Sequence, residues 1–516
     1  MNAMTISTNP WTSLSFDVCN DACLPVLKIS SLIAITCIFG FFVKLSQIRR
    51  HPLSRFPGPW TAKFSNFSHC RMFLGGRQPY EIHKLHQKHG PVVRVAPNEL
   101  SFNTHNSWKD IYAKRVGHKT FIKSDFYDGG NFAAEAHSIV SERDPHKHDK
   151  MRSYLRDVFS DQYLREQESL ISDNIDHFIT LIGEKGSSVD GVDIVMWFNL
   201  ATFDIIGSLA FGESFGGISS GSEHFWVSII VKSLRLGALA DTFKRFPWLG
   251  YFAQKAFSGL LKQLIKDTRR HEQYAMELIR RRIEQSSTRK DFLTKMLQGR
   301  GNDGISDVQL AAHASDFVIA GSETTATALA CITYHLLKFP EIGLRLQTEI
   351  REAFNFYQEI NGTSTTSLLY LNAVILEGMR VYPPLPFPLP RVVPQGGDVV
   401  DGHFIPEGTI VSTNPFAASM SSQNFLNPWK FDPERWLRKD GEDTLGASQP
   451  FSLGTRSCLG KSLAWLELRT ILAKLYFKYD LKLLNPQLDW HAQSEMHTLW
   501  QKPEMRVTIV SRADKS

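Results

Sequence analysis

Apolar residues recur every three to four positions through 149–159, 251–285, 306–338, 341–356, 368–380 and 459–479, the period of helices that bury one face. Short apolar runs rich in β-branched residues, 92–95 and 409–412, read as strands. The pattern predicts a mostly α fold with minor β. No internal repeat or low-complexity tract interrupts it, so a single large domain is expected over 61–516. Its longest helix, 306–338, opens on Ser306-Asp-Val-Gln309, a capping-box signature, and stops before Pro340. At 1.5 Å per residue it runs roughly 50 Å and crosses the whole domain.

A different pattern occupies the N-terminus. Residues 24–43 are apolar apart from Lys28 near one end, a run that spans roughly 30 Å as a helix and is expected to cross a bilayer. Asp17 and Asp21 precede it, opposite to a secretory leader, while Lys44, Arg49, Arg50 and Arg55 follow. That asymmetry predicts a lumenal segment 1–23, a transmembrane helix 24–43 and a cytosolic catalytic bulk. Residues 44–60, basic and with Pro52, Pro57 and Pro59, read as a stiff hinge.

Composition adds exclusions. With 516 residues and 42% hydrophobic content the chain buries a large core. A net charge of +6 without clustered basic tracts argues against a nucleic-acid partner. Six scattered cysteines do not form a secreted disulfide framework.

One cysteine stands apart, in Phe451-Ser-Leu-Gly454-Thr-Arg456-Ser-Cys458-Leu-Gly460, a glycine-framed loop opening into a helical run. A thiol at a helix N-terminus is expected to ionise easily, with Gly454 and Gly460 admitting backbone amides, Arg456 adding positive charge and Phe451 screening water. A P-loop reading of Gly460-Lys461-Ser462 fails because Thr455 stands where its first glycine belongs. A zinc site fails because no second cysteine or histidine lies nearby.

This run resembles the haem-binding loop of the cytochrome P450 family, Phe-x-x-Gly-x-Arg-x-Cys-x-Gly, at every fixed position. Four further motifs agree in order. Ala320-Gly-Ser-Glu323-Thr324-Thr325 resembles the family's central-helix motif, which implies proton delivery by Glu323 and Thr324 at the oxygen-binding face. Glu377-Gly-Met-Arg380 and Phe431-Asp-Pro-Glu-Arg435-Trp436 resemble the pair that forms a structural Glu/Arg/Arg triad, with Trp in the last position. His148 and Arg152, four apart, and Arg391 match residues that hold haem carboxylates, joined by Arg456.

The resemblance implies the cytochrome P450 fold behind an N-terminal anchor, with haem b ligated by Cys458. It implies a monooxygenase of fungal secondary metabolism that uses O2 and acts on an apolar small molecule in the endoplasmic reticulum membrane. Electrons would come from NADPH through a cytochrome P450 reductase, with cytochrome b5 a second candidate donor, docking near Arg143, Lys147, Lys150 and Lys461. The segment 117–132, with Phe121, Phe126, Tyr127 and Phe132, should cover the substrate, together with 385–389 and 496–499. Two readings from other classes stand beside it: a haem-thiolate isomerase or dehydratase that does not use O2, and an α/β hydrolase built on Gly212-Glu-Ser214-Phe-Gly216 or Gly217-Ile-Ser219-Ser-Gly221.

Overall fold

The computed structural model describes residues 45–512 except 131–135, 257, 285–290 and 304, together with the isolated positions 32, 35, 36, 39 and 43. It divides into two units, 1–55 and 56–516. The expected membrane helix 24–43 falls largely outside the described residues; within it Leu32, Ile35, Phe39 and Val43 are helical and exposed. Among the described residues no helix is long and apolar enough to cross a membrane.

The second unit is organised around the helix Asp307–Lys338, which Ser306 caps by accepting from the Gln309 amide at 3.2 Å. It is buried on nearly all sides from Leu310 to Leu336, as a helix without a solvent face must be. Its main neighbour, Ile194–Ala210, is likewise buried on nearly all sides. The two approach closely at Gly321, where a Cβ would lie 3.1 Å from the Ile206 side chain. Thr202 cross-links them by donating to the Ser322 carbonyl at 3.0 Å.

Element boundaries follow the sequence pattern with instructive departures. The stretch 251–285 contains parts of two helices, Pro247–Ala256 and Ser258–Glu284. The last long helix runs Lys461–Lys478, and Tyr479 already belongs to the strand Tyr479–Leu483. Both expected strands exist, Val92–Ala96 and Ile410–Thr413, in a five-stranded sheet. Its far edge pairs Arg391–Val392 with Ile122–Lys123, placing Lys123 directly opposite Arg391.

Glu377 organises the approach to the cysteine loop. It is fully buried and accepts from Arg380 Nε and Nη2, each at 2.8 Å, from Arg435 Nε at 3.1 Å and from the Asp432 amide at 2.8 Å. Trp436 at the end of the motif adds a fifth donor, Nε1 to Oε2 at 3.0 Å.

The hydrolase reading is overturned here. Both Gly-x-Ser-x-Gly stretches follow a helix, Ile194–Ala210, rather than a buried strand. Ser219 does meet His177 Nε2 at 3.0 Å, but the pair lies exposed and no carboxylate holds that imidazole among the described residues.

Candidate active site

Cys458, Phe451, Gly460, Arg456, His148, Arg152, Arg391 and Thr324, drawn from widely separated parts of the chain, line one cavity of about 310 Å³. The cysteine loop closes on itself through the Cys458 amide donating to the Phe451 carbonyl at 2.8 Å. Gly454 is obligatory there: its φ is +75°, and a Cβ would sit 2.1 Å from the Tyr112 carbonyl oxygen. Phe451 lies 6.4 Å from the Trp465 ring, with Lys461 over its face.

The expectation that the Cys458 thiol ionises easily on its own is corrected. Helix Lys461–Lys478 starts beyond Cys458, whose accessible surface lies along the cavity wall, enclosed by the surrounding protein. Burial therefore pushes its pKa up, outweighing the Gly460 amide and the Arg152 and Lys461 charges that pull it down. A metal ion bound at sulfur is the partner that deprotonates such a thiol.

Five nitrogen-bearing side chains gather along the same cavity; among the described residues the lysine and the three arginines meet only neutral acceptors, while His148 Nδ1 lies 3.6 Å from the Asp149 carboxylate. Arg152 donates to the Ser457 carbonyl at 2.8 Å, and Arg456 to the Glu142 and Arg143 carbonyls at 2.6 and 2.9 Å. Arg391 reaches the Pro390 carbonyl at 3.1 Å and stacks near Tyr112 and Tyr127. Buried Lys123 caps the Ile139 and Val140 carbonyls. Burial, and then the four neighbouring cations, holds His148 down at about 3, so it is neutral. Desolvation and the adjacent arginines likewise pull Lys123 well below the ordinary lysine range.

Lys123 and Arg391 face each other across paired strands, an arrangement of like charges that is destabilising unless an anion lies between them. Among the described residues none of Lys123, Arg152, Arg391 and Arg456 makes an ion pair. The donor set thus fits a ligand carrying carboxylates, with a metal that takes a soft sulfur ligand. Haem meets both requirements. Lys123 was not among the sequence candidates, because only the strand pairing brings it to Arg391.

Across the cavity stands the central helix. Thr324 lines the cavity and back-bonds to the Ala320 carbonyl at 2.6 Å, as mid-helix threonines tend to. Glu323 does not line it. It is buried one position round the helix, paired with Lys502 Nζ at 2.8 Å, and the same ammonium contacts Thr327 Oγ1 at 3.1 Å. Lys502 also escaped the sequence reading, being 179 residues away along the chain.

A second buried acid, Glu467, lines the cavity beside Thr325; desolvation pushes it up to about 8. Of the expected covering residues, Tyr127, Leu385 and Leu389 line the cavity, and Phe126 stacks on Phe387 at 4.5 Å. Phe121 and Met496 are buried elsewhere, and Phe132 lies outside the described residues.

The cytochrome P450 family model matches residues 57–509. The chain is 52% identical over 473 residues to cytochrome P450 monooxygenase ORF11 of Penicillium roqueforti, covering 90% of this chain and 98% of that protein. It is 41% identical over 501 residues to cytochrome P450 monooxygenase BipB of Cochliobolus sativus, covering 95% and 98%. A further relative, cytochrome P450 monooxygenase aclL of Aspergillus oryzae, is 36% identical over 489 residues, covering 93% and 98%. With the cysteine loop, the cationic rim and the threonine-bearing helix around one cavity, the chain belongs to the cytochrome P450 family of haem-thiolate oxidoreductases.

Proposed function

We propose that this enzyme inserts one oxygen atom of O2 into an apolar small molecule, by hydroxylation, epoxidation or a related oxidation, in fungal secondary-metabolite biosynthesis. The observation that carries the reading is that Cys458 and Thr324 share a single, mainly apolar cavity. Haem bound through Cys458 would supply the oxygen-activating chemistry. Arg152, Arg391, Arg456, Lys123 and His148 would hold its carboxylates. Thr324 Oγ1 would hold a proton at the reacting face, and Glu323 would resupply it from the Lys502 side. Apolar residues such as Phe317, Ala320 and Leu385 keep bulk water away.

The retained Glu323 and Thr324 favour O2 chemistry over isomerisation or dehydration. Electrons would come from NADPH through a reductase, with cytochrome b5 as a second donor, at the face carrying Arg143, Lys147, Lys150 and Lys461. Residues 24–43 would anchor the enzyme in the endoplasmic reticulum membrane with the catalytic domain cytosolic.

Reconstitution with a reductase, NADPH and ¹⁸O2 against sesquiterpene, polyketide and indole probes tests this. One ¹⁸O per product molecule is expected. Turnover that proceeds without O2 would instead establish the isomerase or dehydratase reading.

A further inference from the structure

The chain has a single Asn-Gly step, Asn361-Gly362, in the loop between the helical turns Tyr357–Glu359 and Ser364–Ser367. The Asn361 side chain folds forward over Gly362. Its Oδ1 accepts from the Thr363 amide at 3.0 Å and from the Ser364 amide at 2.9 Å, while Nδ2 donates to the Glu359 carbonyl at 3.1 Å. Taken alone, these contacts describe an asparagine that shapes a turn.

The Gly362 amide has a less ordinary partner. It donates to Oε1 of Glu168, 194 residues away in the chain, at 2.6 Å, a short charge-assisted hydrogen bond. Glu168 is the first residue of helix Glu168–Gly186. The approach depends on glycine, because a Cβ at 362 would lie 3.0 Å from Glu168 Oε1 and 3.1 Å from Cγ of Leu466, on helix Lys461–Lys478. Glu168, Asn361 and Ser364 are half-buried, and with Ser169, Ser172 and Thr363 they line an open surface cavity that admits solvent.

These contacts supply the parts of an acyl-transfer site. The Asn361 Cγ is the electrophile, and two backbone amides on Oδ1 are placed to hold the negative charge that develops there during attack. The Gly362 nitrogen is the nucleophile once it loses its proton. Glu168 is positioned to take that proton in the plane of the peptide, which leaves the nitrogen electron pair perpendicular to the plane for attack on Cγ. Adjacency in the chain makes the closure intramolecular.

We propose that Asn361-Gly362 is a self-catalysed deamidation site, with Glu168 as its general base. The Gly362 nitrogen bonds to Asn361 Cγ and the Cγ–Nδ2 bond breaks. The proton taken by Glu168 is returned through solvent to Nδ2, which leaves as ammonia. Water then opens the five-membered imide at either carbonyl, giving an aspartate or its β-linked isomer at position 361. No oxidation or reduction is involved. The imide lacks the Gly362 N–H that Glu168 holds, and the opened product sets a second carboxylate beside Glu168. The modification therefore cuts a tie between this loop and helix Glu168–Gly186, next to the helix that follows the cysteine loop.

The test holds the full-length haem-loaded protein at neutral pH in H2¹⁸O, beside the same protein unfolded in guanidinium chloride, and follows position 361 by peptide mapping and mass spectrometry. The Soret band reports that the folded sample stays folded. Asn361 in the folded protein should convert tenfold or more faster than in the unfolded chain, with one ¹⁸O incorporated and both aspartyl isomers present. Glu168→Gln keeps a carbonyl acceptor for the Gly362 amide but removes the base, and should bring the folded rate down to the unfolded rate or below. Conversion no faster folded than unfolded overturns the proposal and leaves the asparagine as a turn former only. An unchanged rate in Glu168→Gln, or a product without the β-linked isomer, overturns it as well. Should Glu168→Gln fail to hold haem, the comparison of folded with unfolded wild type decides.

Discussion

Replacing Glu377 by Ala should loosen the frame of the active site without touching the cavity. The carboxylate is completely buried and receives five donors: two from Arg380, one from Arg435, one from Trp436 and the Asp432 amide. Removing it leaves Arg380, itself fully buried, with only the Ser419 and Lys430 carbonyls as oxygen acceptors. Arg435 keeps Asp443. Breaking a buried ion pair from one side costs about 3–5 kcal/mol, because the remaining charge stays desolvated. A domain's whole stability is about 5–15 kcal/mol, so the loss is a large part of it. Since about 1.4 kcal/mol is a factor of ten, cleavage of the transiently open state should rise at least about 100-fold. Glu377→Gln, which keeps the shape but turns an amide NH2 toward guanidinium donors, belongs in the same range. The assay is native-state proteolysis of the haem-loaded protein, with the Soret band recording haem retention. Proteolysis within fivefold of wild type for both variants would refute the reasoning.

Other perturbations separate the roles within the cavity. Cys458→Ser should abolish the red-shifted Soret band of the reduced, carbon monoxide-bound state, since a neutral hydroxyl donates little charge to iron; an unchanged spectrum removes Cys458 as ligand. Thr324→Ala should keep haem and NADPH consumption while product per NADPH falls, with peroxide making up the difference; wild-type coupling contradicts the proton-holding role. Glu467, raised by desolvation to about 8, binds its proton more tightly folded than unfolded, so its contribution to stability falls as pH rises from about 4.5 through 8, by up to about 1.4 kcal/mol per unit. Glu467→Gln should flatten that slope in unfolding measurements at pH 5.5 and 8, and an unaltered slope counts against its burial as an acid. Deleting residues 1–44 should release most of the enzyme from microsomes, with residual binding lost on Trp248→Glu, because Trp248, Leu249, Tyr251 and Phe252 are exposed on Pro247–Ala256; retention after both changes sinks the anchor and the second contact together.

The parts of the site legible in the sequence are those whose residues lie within one turn or loop of each other. The cysteine loop, the central-helix hexapeptide and the Glu377/Arg380 pair are short-range arrangements, and the structure keeps each of them. Lys123 and Lys502 were not legible because their partners are set by strand register and by packing across 179 residues in the latter case. A lysine in a two-residue strand carries no local signal of burial. The ionisation of Cys458 was misjudged for a related reason: helix position and nearby glycines are visible in sequence, whereas desolvation is a property of the assembled cavity, and it is the larger effect.

Helix geometry explains why adjacent residues divide one task. At 3.6 residues per turn, Glu323 and Thr324 point about 100° apart, and here Thr324 lines the cavity while Glu323 does not. Thr324 takes the cavity side, held by the Ala320 carbonyl, and Glu323 takes the protein side, held by Lys502. On the proposed reading, the acid one residue round the helix would take up solvent-derived protons and the hydroxyl at the cavity wall would hand them on. The ion pair with Lys502 keeps the Glu323 charge compensated while buried, and on that reading it is the contact that would loosen as a proton passes.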